Sequence, residues 1–401
     1  MKNILIVAYV YPPLGGAGVQ RTLKFAKFLK KFGYNVNVLT VNNEKSTIKD
    51  ESLKAESTDG IKVFRAMQRE NFIVNTIANR NITHVKTVKA ENKEDIIKKI
   101  SEITLKSKVK RKTKKILLNI YRNMYIPDDK ISWKKDAVEL GLRIIKEEKI
   151  DIIYSTSAPY TDHLIACELK QKSNIAWIAD FRDQWVTNPF ADYTPYAKRK
   201  NEKMEKAVIE KANVVISVSK PIIDDFIDRY KNQRADKFKI ITNGYDEEDF
   251  DDYNIDRIPP KYIITYNGTL YGKISPKNFL IAIDRLIEDK KIKQEELTIR
   301  FVGQIGKDAQ EDITFFLAKY DKVIEFISYL PHKESLKELE DSSAALLIIG
   351  AFEGSEGVYT GKIFEYIRSG RVVIGIVPDG VAKDLILDTN TGFCCHPEKI
   401  D

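Results

Sequence analysis

Short apolar runs alternate with longer amphipathic stretches along the whole chain. Runs such as VNVLTV (36–41), IDIIYS (150–155) and NVVISV (213–218) contain few polar positions and little strict alternation. Such runs are typical of strands that are covered on both faces. The pattern therefore predicts an α/β protein built on parallel, doubly wound sheets.

The elements predicted from this pattern fall into two series. In the first half, strands are expected near 3–9, 35–41, 61–65, 150–155, 174–179, 213–218 and 238–242, and helices near 17–32, 132–148, 160–172, 198–212 and 220–230. In the second half, strands are expected near 262–267, 297–302, 322–326, 343–349 and 372–377, and helices near 276–289, 308–319, 333–340, 360–369 and 381–387.

An acidic stretch that ends in Pro-Pro, residues 243–262, separates the two series. Because proline disfavours both helix and central strand, this stretch predicts an interdomain linker. We predict a first Rossmann-like domain over 1–250, a linker over 251–261 and a second Rossmann-like domain over 262–401. The last residues leave little room for a closing helix, which suggests truncation. Tandem domains of this kind leave a cleft at the carboxyl ends of their strands.

The composition narrows the class of protein. The 401 residues include 43% hydrophobic and 31% charged residues, and no apolar run approaches the ~20 residues that a membrane span needs. Three cysteines and four histidines give neither a disulfide framework nor zinc spacing, so no metal site is predicted. The N-terminal run leads straight into a glycine loop rather than a cleavage site, so we interpret it as a buried strand and predict a cytoplasmic protein.

The net charge of +8 is concentrated in residues 86–125, most densely in KSKVKRKTKK (106–115), within a predicted helical insertion at about 67–130. Three interpretations remain: a solvated helical face, helices lying peripherally on an anionic membrane or gripping an anionic substrate, or a nucleic-acid contact. No recognised nucleic-acid-binding motif accompanies the charge, so no nucleic-acid partner is predicted.

The loop after the first predicted strand, YPPLGGAG (11–18), allows close approach of a ligand to the backbone. It begins the dinucleotide pattern G-x-G-x-x-G, but Arg21 occupies the third glycine position and residues 36–43 hold no acid, which argues against NAD. We predict that Gly16 and Gly18 lie against phosphate or sugar, with a simple tight turn as the alternative.

A second candidate site begins at Thr360. Thr360 can cap a helix whose first turn holds Gly361 and Lys362, so free amides and an ammonium meet at the positive helix end. Glu365 follows within two turns. The combination suits a nucleotide, with its diphosphate on the amides and its ribose on the carboxylate, although a well-capped ordinary helix would look similar.

Several motifs, taken in order, resemble a known family. They are STSAPYTDHLIACELK (155–170), WIADFRDQW (177–185), VISVSK (215–220), IITNGYDEEDF (240–250), YNGTLYGKISPKNFLIAI (266–283) and YTGKIFEYIRSGRVVIGIVPDG (359–380), after the first glycine loop. From end to end the chain resembles a GT-B glycosyltransferase of the retaining family 4 group, of the kind found in bacterial surface-polysaccharide assembly.

The resemblance implies a sugar nucleotide bound mainly by the second domain and an acceptor bound mainly by the first. It assigns Glu365 to the ribose and Thr360, Gly361 and Lys362 to the diphosphate. The family's first glutamate would fall on Gly357, with Glu356 out of register by one.

The family also has a basic pair after the first strand of the second domain. Lys277 fits the lysine, Thr269 stands where an arginine is common, and Lys273 can compensate. We place Gly303, Ser328 and Tyr329 near the base.

The segment DFRD supplies the predicted catalytic residues. Many relatives have a histidine near this strand end, and Asp180 is the nearest positional match, with Asp183 as its rival and Arg182 between them. His163 is a weaker candidate. The tandem-domain pattern argues against a metal-binding acid pair of another fold, and an Arg182 ion pair that only pins a loop is the alternative.

The resemblance implies a metal-independent glycosyltransferase without a resident cofactor. It would move a sugar, with retention, from a UDP- or GDP-linked donor to a lipid-linked or polysaccharide acceptor at the inner membrane face. An epimerase of the same architecture, or an inactive nucleotide-sugar-binding partner subunit, is the alternative. The sequence leaves the sugar, the base, the acceptor and the oligomeric state open.

Overall fold

The computed structural model describes residues 1–42, 49–68, 122–320 and 322–399. Most of the basic segment 86–125 and of the predicted insertion at 67–130 therefore lies outside the described residues. The described strands form two sheets, one in each half of the chain, and every pair of neighbouring strands is parallel.

The first sheet has seven strands in the order β3-β2-β1-β4-β5-β6-β7. Its strands are β1 (Asn3–Val7), β2 (Asn35–Asn42), β3 (Lys62–Met67), β4 (Ile152–Ser157), β5 (Ala176–Phe181), β6 (Val214–Ser217) and β7 (Phe238–Ile240). The second sheet has six strands in the order β10-β9-β8-β11-β12-β13. Its strands are β8 (Tyr262–Asn267), β9 (Leu297–Val302), β10 (Ile324–Ile327), β11 (Ala344–Ile348), β12 (Val372–Ile376) and β13 (Gly392–Cys395).

Helices connect most successive strands. In the described part of the chain they are α1 (Ala17–Lys31), α2 (Lys54–Thr58), α3 (Lys134–Glu147), α4 (Thr161–Ser173), α5 (Pro195–Lys211), α6 (Lys220–Arg229), α7 (Lys277–Glu288), α8 (Lys307–Lys319), α9 (His332–Glu340), α10 (Gly361–Arg368) and α11 (Val381–Asp388).

Burial explains why the apolar runs become central strands. β2 is buried from Val36 to Val41, and all five residues of β11 are buried. Strands covered on both faces need helices on both sides, and each sheet accordingly has two apolar clusters packed around it. The predicted pair of parallel, doubly wound sheets is confirmed.

The stretch between the sheets, residues 241–261, contains one short 3₁₀ turn, Glu247–Phe250. Phe250 is buried in a cluster that includes Tyr366 and Leu336 of the second half. The chain therefore begins to pack on the second sheet before the predicted linker starts. The domain limits at 250 and 262 stay a prediction.

None of the described helices is long and apolar enough to cross a membrane.

Candidate functional site

The glycine loop of the first half contacts the second half directly. The Gly16 amide donates a hydrogen bond to the Tyr329 hydroxyl at 3.1 Å. Gly16 has φ +97° and open space around it, so its backbone conformation, not crowding, favours glycine. Tyr329 follows β10, and the contact places the ends of β1 and β10 on the two sides of one interface. Ser328, beside Tyr329, is exposed.

Helix α10 begins at this interface with a first turn that no side chain caps. Thr360 is at the N-cap position, yet its hydroxyl makes no cap bond and is buried without a partner in the described part of the chain. The first amides of a helix carry partial positive charge and need an acceptor. An anion at Gly361 would supply one.

Lys362 lies within the first turn of α10 and points back toward β8. Its ammonium donates to the Tyr266 hydroxyl at 3.0 Å and sits 4.5 Å above the Tyr266 ring. A Cβ on Gly268, which has φ +135°, would lie 2.3 Å from the Lys362 Nζ. Glycine at 268 is therefore what leaves room for the ammonium. Gly303 is equally constrained, because its Cβ would lie 2.4 Å from the Gly268 oxygen.

Glu365 is bound by a histidine. His332, the first residue of α9, has its Nε2 atom 2.8 Å from the Glu365 Oε1 atom. Burial disfavours charge on His332, but Glu365 and Asp249 outweigh it and raise the pKa of the imidazole. The His332 amide also donates to the carboxylate of Asp50 at 3.0 Å, which links this pair to the first half.

Asp180 is locked in a buried ion pair. The Arg21 guanidinium donates two hydrogen bonds to the Asp180 carboxylate, of 2.9 and 2.8 Å, and both side chains are almost fully buried. Tyr154 and Thr156 donate to the same carboxylate at 2.6 and 3.0 Å. Burial would raise the pKa of Asp180, yet Arg21 and these donors outweigh it and lower the pKa. The carboxylate has no face toward a ligand.

Arg182 acts as a clamp on backbone carbonyls. Its guanidinium donates to Ser157 at 2.6 Å and to Ala158 and Gly18. These bonds tie the glycine loop to the end of β4, so an acidic partner is not what holds the arginine.

Asp183 remains open to solvent. It lines a small cavity between the two halves, with Arg182 beside it and Gly357 and Tyr359 on the opposite wall. Partial desolvation raises the pKa of Asp183, and Arg182 opposes the rise. A carboxylate in this position can reach a ligand in the cleft.

His163 is buried and uncharged. Its Nδ1 atom lies 2.8 Å from the Ser155 hydroxyl, and burial lowers its pKa to about 3. It also packs on the Phe181 ring, 4.3 Å between centroids. This environment makes His163 part of the core of the first half.

Of two further predicted positions, Lys277 is exposed and Gly357 is buried between the halves. Lys277 begins α7 and is exposed, and its amide is bonded to the Ser275 hydroxyl at 3.1 Å. Gly357 is buried, and its carbonyl accepts a hydrogen bond of 2.8 Å from Ser219 of the first half. A Cβ on Gly357 would lie 3.3 Å from the Cβ of Pro221. Packing between the halves thus explains the absence of a glutamate there.

Gly16 and Tyr329 therefore meet across the interface, Lys362 and Glu365 lie on the first two turns of α10, and Asp183 lines the cavity between the halves. Sequence analysis did not assign a role to Tyr266, Gly268, His332 or Asn243. Tyr266 and Gly268 flank one residue in the quoted motif YNGT, which was the available signal. Asn243, whose side-chain amide donates to the Tyr359 carbonyl at 2.9 Å, lies in the quoted motif IITNGYDEEDF (240–250). His332 acts through a partner distant in sequence and carries no local signature.

Two parallel Rossmann-like sheets, one in each half of the chain and in contact through Gly16 and Tyr329, are the arrangement of the GT-B fold, and solved structures agree. HepE from Anabaena, in complex with UDP, superposes with a TM-score of 0.58 at 12% identity, covering 100% of this chain and 87% of that one. A variant of TarM from S. aureus, in complex with fondaparinux, α-GlcNAc-glycerol and UDP, gives 0.57 at 12% identity, covering 100% and 90%. A candidate UDP-N-acetylglucosamine 2-epimerase from Listeria monocytogenes gives 0.51 at 11% identity, covering 98% and 83%.

The match to a family model covers less of the chain than the solved structures do and lies in the first half. Residues 105–249 match the model of Glycosyltransferase Family 4, which confirms the predicted resemblance over that part of the chain. No curated protein matches the sequence. The fold is thus the GT-B fold, and the similarity to a glycosyltransferase family covers residues 105–249.

Proposed function

We propose that this protein transfers a sugar from a UDP- or GDP-linked donor to a lipid-linked or polysaccharide acceptor. The observation that carries the proposal is the uncapped start of α10, where the amides of Gly361 and Lys362 accompany the Lys362 ammonium. A diphosphate supplies the acceptor atoms and the negative charge that these groups lack. UDP is present in the HepE and TarM structures, which share this fold.

Each group near α10 has a role in this proposal. When the glycosidic bond to the diphosphate breaks, negative charge develops on the leaving group, and preorganised amides and an ammonium stabilise it. These groups carry the role that a metal ion would otherwise have, so the reaction is proposed to be metal-independent. Glu365 accepts hydrogen bonds from the ribose hydroxyls, and Gly303, Ser328 and Tyr329 lie toward the base.

Among the predicted catalytic residues, we favour Asp183 as the group that faces the transferred sugar. It is open to the cavity between the halves, whereas Asp180 has its carboxylate occupied by Arg21. Asp180 and Arg182 are then positioning residues. Retention of configuration, with the diphosphate helping to deprotonate the acceptor on the same face, follows from the family resemblance.

The proposed setting is the cytoplasmic face of the cell membrane, in the biosynthesis of a cell-surface polysaccharide. Two features support it: the family 4 match and the basic segment 86–125, whose charge suits anionic lipid headgroups.

Isothermal titration calorimetry with UDP and GDP tests the donor site. Lys362→Ala and Glu365→Ala should each weaken binding about tenfold or more, because each removes a partly buried polar contact. Lys277→Ala should also weaken binding, because the proposal places the Lys277 ammonium on the phosphates. Arg368→Ala is the matched control, since Arg368 lies on the last turn of α10 and pairs with Glu247. Unchanged affinity in both Lys362→Ala and Glu365→Ala would refute the donor site.

An epimerase remains the second candidate, because one similar solved structure is described as a candidate epimerase. Incubating the protein with a bound nucleotide sugar separates the two. A transferase releases nucleoside diphosphate at a rate that rises when an acceptor is added. An epimerase interconverts the sugar without any acceptor. Binding without turnover under either condition would favour an inactive partner subunit.

A further inference from the structure

We propose that His332 is a positioning residue that orients Glu365 toward the ribose hydroxyls and makes the site prefer ribonucleotides to 2′-deoxyribonucleotides. The inference rests on the proposed function, since it takes the ligand to be a nucleoside diphosphate.

The geometry of the pair determines which atoms are available to a ligand. The His332 Nε2 atom lies 2.8 Å from the Glu365 Oε1 atom, and the two side chains are 12% and 21% exposed. An ionised carboxylate only accepts hydrogen bonds, so Nε2 must carry the proton. This bond occupies one acceptor site on Oε1 and limits rotation of the carboxylate, which leaves Oε2 as an acceptor for a ligand.

The surroundings of His332 hold the ring in place. Its Nδ1 atom is buried and 3.8 Å from the carboxylate of Asp249, which Lys24 of α1 binds at 2.8 Å. Negative charge from Glu365 and Asp249 thus faces the ring on two sides, with the Lys24 ammonium beyond it. A charge-assisted hydrogen bond in a partly buried setting is stronger and more directional than an exposed one.

His332 also couples the pair to the first half of the chain. Its backbone amide donates to the Asp50 carboxylate at 3.0 Å, and the Asp50 amide donates to the Pro13 carbonyl at 2.9 Å. Pro13 belongs to the glycine loop segment. The orientation of Glu365 is thereby linked to the loop that contacts Tyr329 across the interface.

A carboxylate held in one orientation distinguishes ribose from 2′-deoxyribose by the number of sugar hydroxyls that donate to it. A ribose presents two adjacent hydroxyl donors, and a 2′-deoxyribose presents one. When the second donor is missing, the partly buried Glu365 oxygen loses a partner. A freely rotating glutamate could turn to water instead, so the preference for ribose depends on His332.

Calorimetry with UDP, GDP and their 2′-deoxy counterparts tests the proposal on the full chain. The wild type should bind the better ribonucleotide about tenfold more tightly than its deoxy form. His332→Ala should lower the ribonucleotide affinity and bring this ratio close to one, with little change in deoxynucleotide affinity. His332→Gln, whose side-chain amide can replace the Nε2 donor, should keep the ratio. Lys333→Ala, a change at the exposed neighbouring residue, should behave as the wild type.

The outcomes separate the two proposals. If His332→Ala keeps the wild-type ratio, the positioning role is wrong while the nucleotide site stands. If the wild type binds none of the four nucleotides, the proposed function itself fails. Should His332→Ala not fold by circular dichroism, His332→Asn replaces it, because its shorter amide does not reach the Nε2 position. The proposal then requires a lost ratio in His332→Asn and a kept ratio in His332→Gln, and equal ratios in the two would overturn it.

Discussion

Asn243 donates a hydrogen bond from its side-chain amide to the backbone carbonyl of Tyr359, 2.9 Å away. Asn243 follows the last strand of the first sheet, and Tyr359 directly precedes the N-cap of α10. Arg21, which is held by Asp180, contacts the Asn243 side-chain oxygen at 3.3 Å. A continuous series of hydrogen bonds therefore runs from a buried carboxylate in one half to the start of α10 in the other.

Asn243→Ala should weaken UDP or GDP binding about three- to tenfold, because the turn before α10 loses its anchor. The free energy of unfolding should fall by about 1 kcal/mol, the usual contribution of one hydrogen bond. Calorimetry and urea denaturation measure the two effects. Asn213→Ala is the matched control, since Asn213 bonds only within the first half, to Trp177 and Lys170. Equal nucleotide affinities in the two variants would count against the anchor.

Removing one partner of the Arg21–Asp180 pair should destabilise the protein far more than replacing both. Asp180→Ala leaves a buried guanidinium without its carboxylate and should cost about 3–5 kcal/mol. The double variant Arg21→Met/Asp180→Leu should lose much less, because no lone charge remains. Urea denaturation at pH 7 compares the three proteins. A double variant as unstable as Asp180→Ala would contradict this account.

The same pair predicts a dependence on pH. The pKa of Asp180 is lowered in the folded protein, so its contribution is fully present above the ordinary aspartate pKa of about 4. The contribution is lost as the pH falls through the lowered value. The stability difference between the wild type and the double variant should therefore shrink on acidification below about pH 4. A constant difference from pH 7 to pH 3 would show that the pair does not titrate in this way.

Gly268→Ala should mimic the loss of Lys362. The new methyl group would occupy the place of the ammonium, and at φ +135° any side chain adds backbone strain. Each of Gly268→Ala and Lys362→Ala should reduce nucleotide affinity, and the double variant should bind little worse than Lys362→Ala alone. Calorimetry on the four proteins of this cycle gives the coupling. If the losses of binding free energy in the two single variants add fully in the double variant, Gly268 and Lys362 act independently.

Asp183→Asn should remove turnover while it leaves nucleotide binding unchanged, since Asp183 lines the cavity and makes no hydrogen bond to α10 in the described part of the chain. Desolvation raises the pKa of Asp183, so the carboxylate form is lost as the pH falls through a value above the usual one near 4. Wild-type activity should therefore decline on mild acidification. Release of nucleoside diphosphate from pH 4 to pH 8, with calorimetry on both proteins, checks this. Full activity of Asp183→Asn would exclude the role.

The basic segment 86–125 should bind anionic vesicles in a salt-dependent way. Screening weakens such attraction, so sedimentation with phosphatidylserine vesicles should fade between 0.05 and 0.5 M salt, roughly as the Debye length contracts. Replacing Lys112, Lys114 and Lys115 with glutamine should weaken the binding. Equal sedimentation with neutral vesicles would point to a solvated face instead.

Local signals predicted most of the fold. The strands around Val38 and Leu346 are central and buried, and their unbroken apolar runs stand out in the sequence. β13 was not predicted, since its four residues alternate between half-buried and exposed at a sheet edge. The start of α10 was predicted at the correct residue, but the predicted cap bond from the Thr360 hydroxyl is not formed.

Long-range pairs could not be predicted in this way. Arg21 was noted only as a departure from a dinucleotide pattern, yet its partner Asp180 lies 159 residues away. His332 and Glu365 are 33 residues apart on different helices. Such pairs depend on how strands are ordered in a sheet, which apolar periodicity does not specify. Asp180 was therefore predicted to be catalytic from its place at a strand end, whereas its hydrogen bonds to Arg21 favour a role in positioning other residues.

Gly357 packs between Ser219 and Pro221 of the other half, and this has a consequence for engineering. A Cβ there would lie 3.3 Å from the Pro221 Cβ, so a glutamate at position 357 requires α6 to shift by a few tenths of an ångström. A carboxylate at this position therefore comes only with an adjustment of the contact between the two halves.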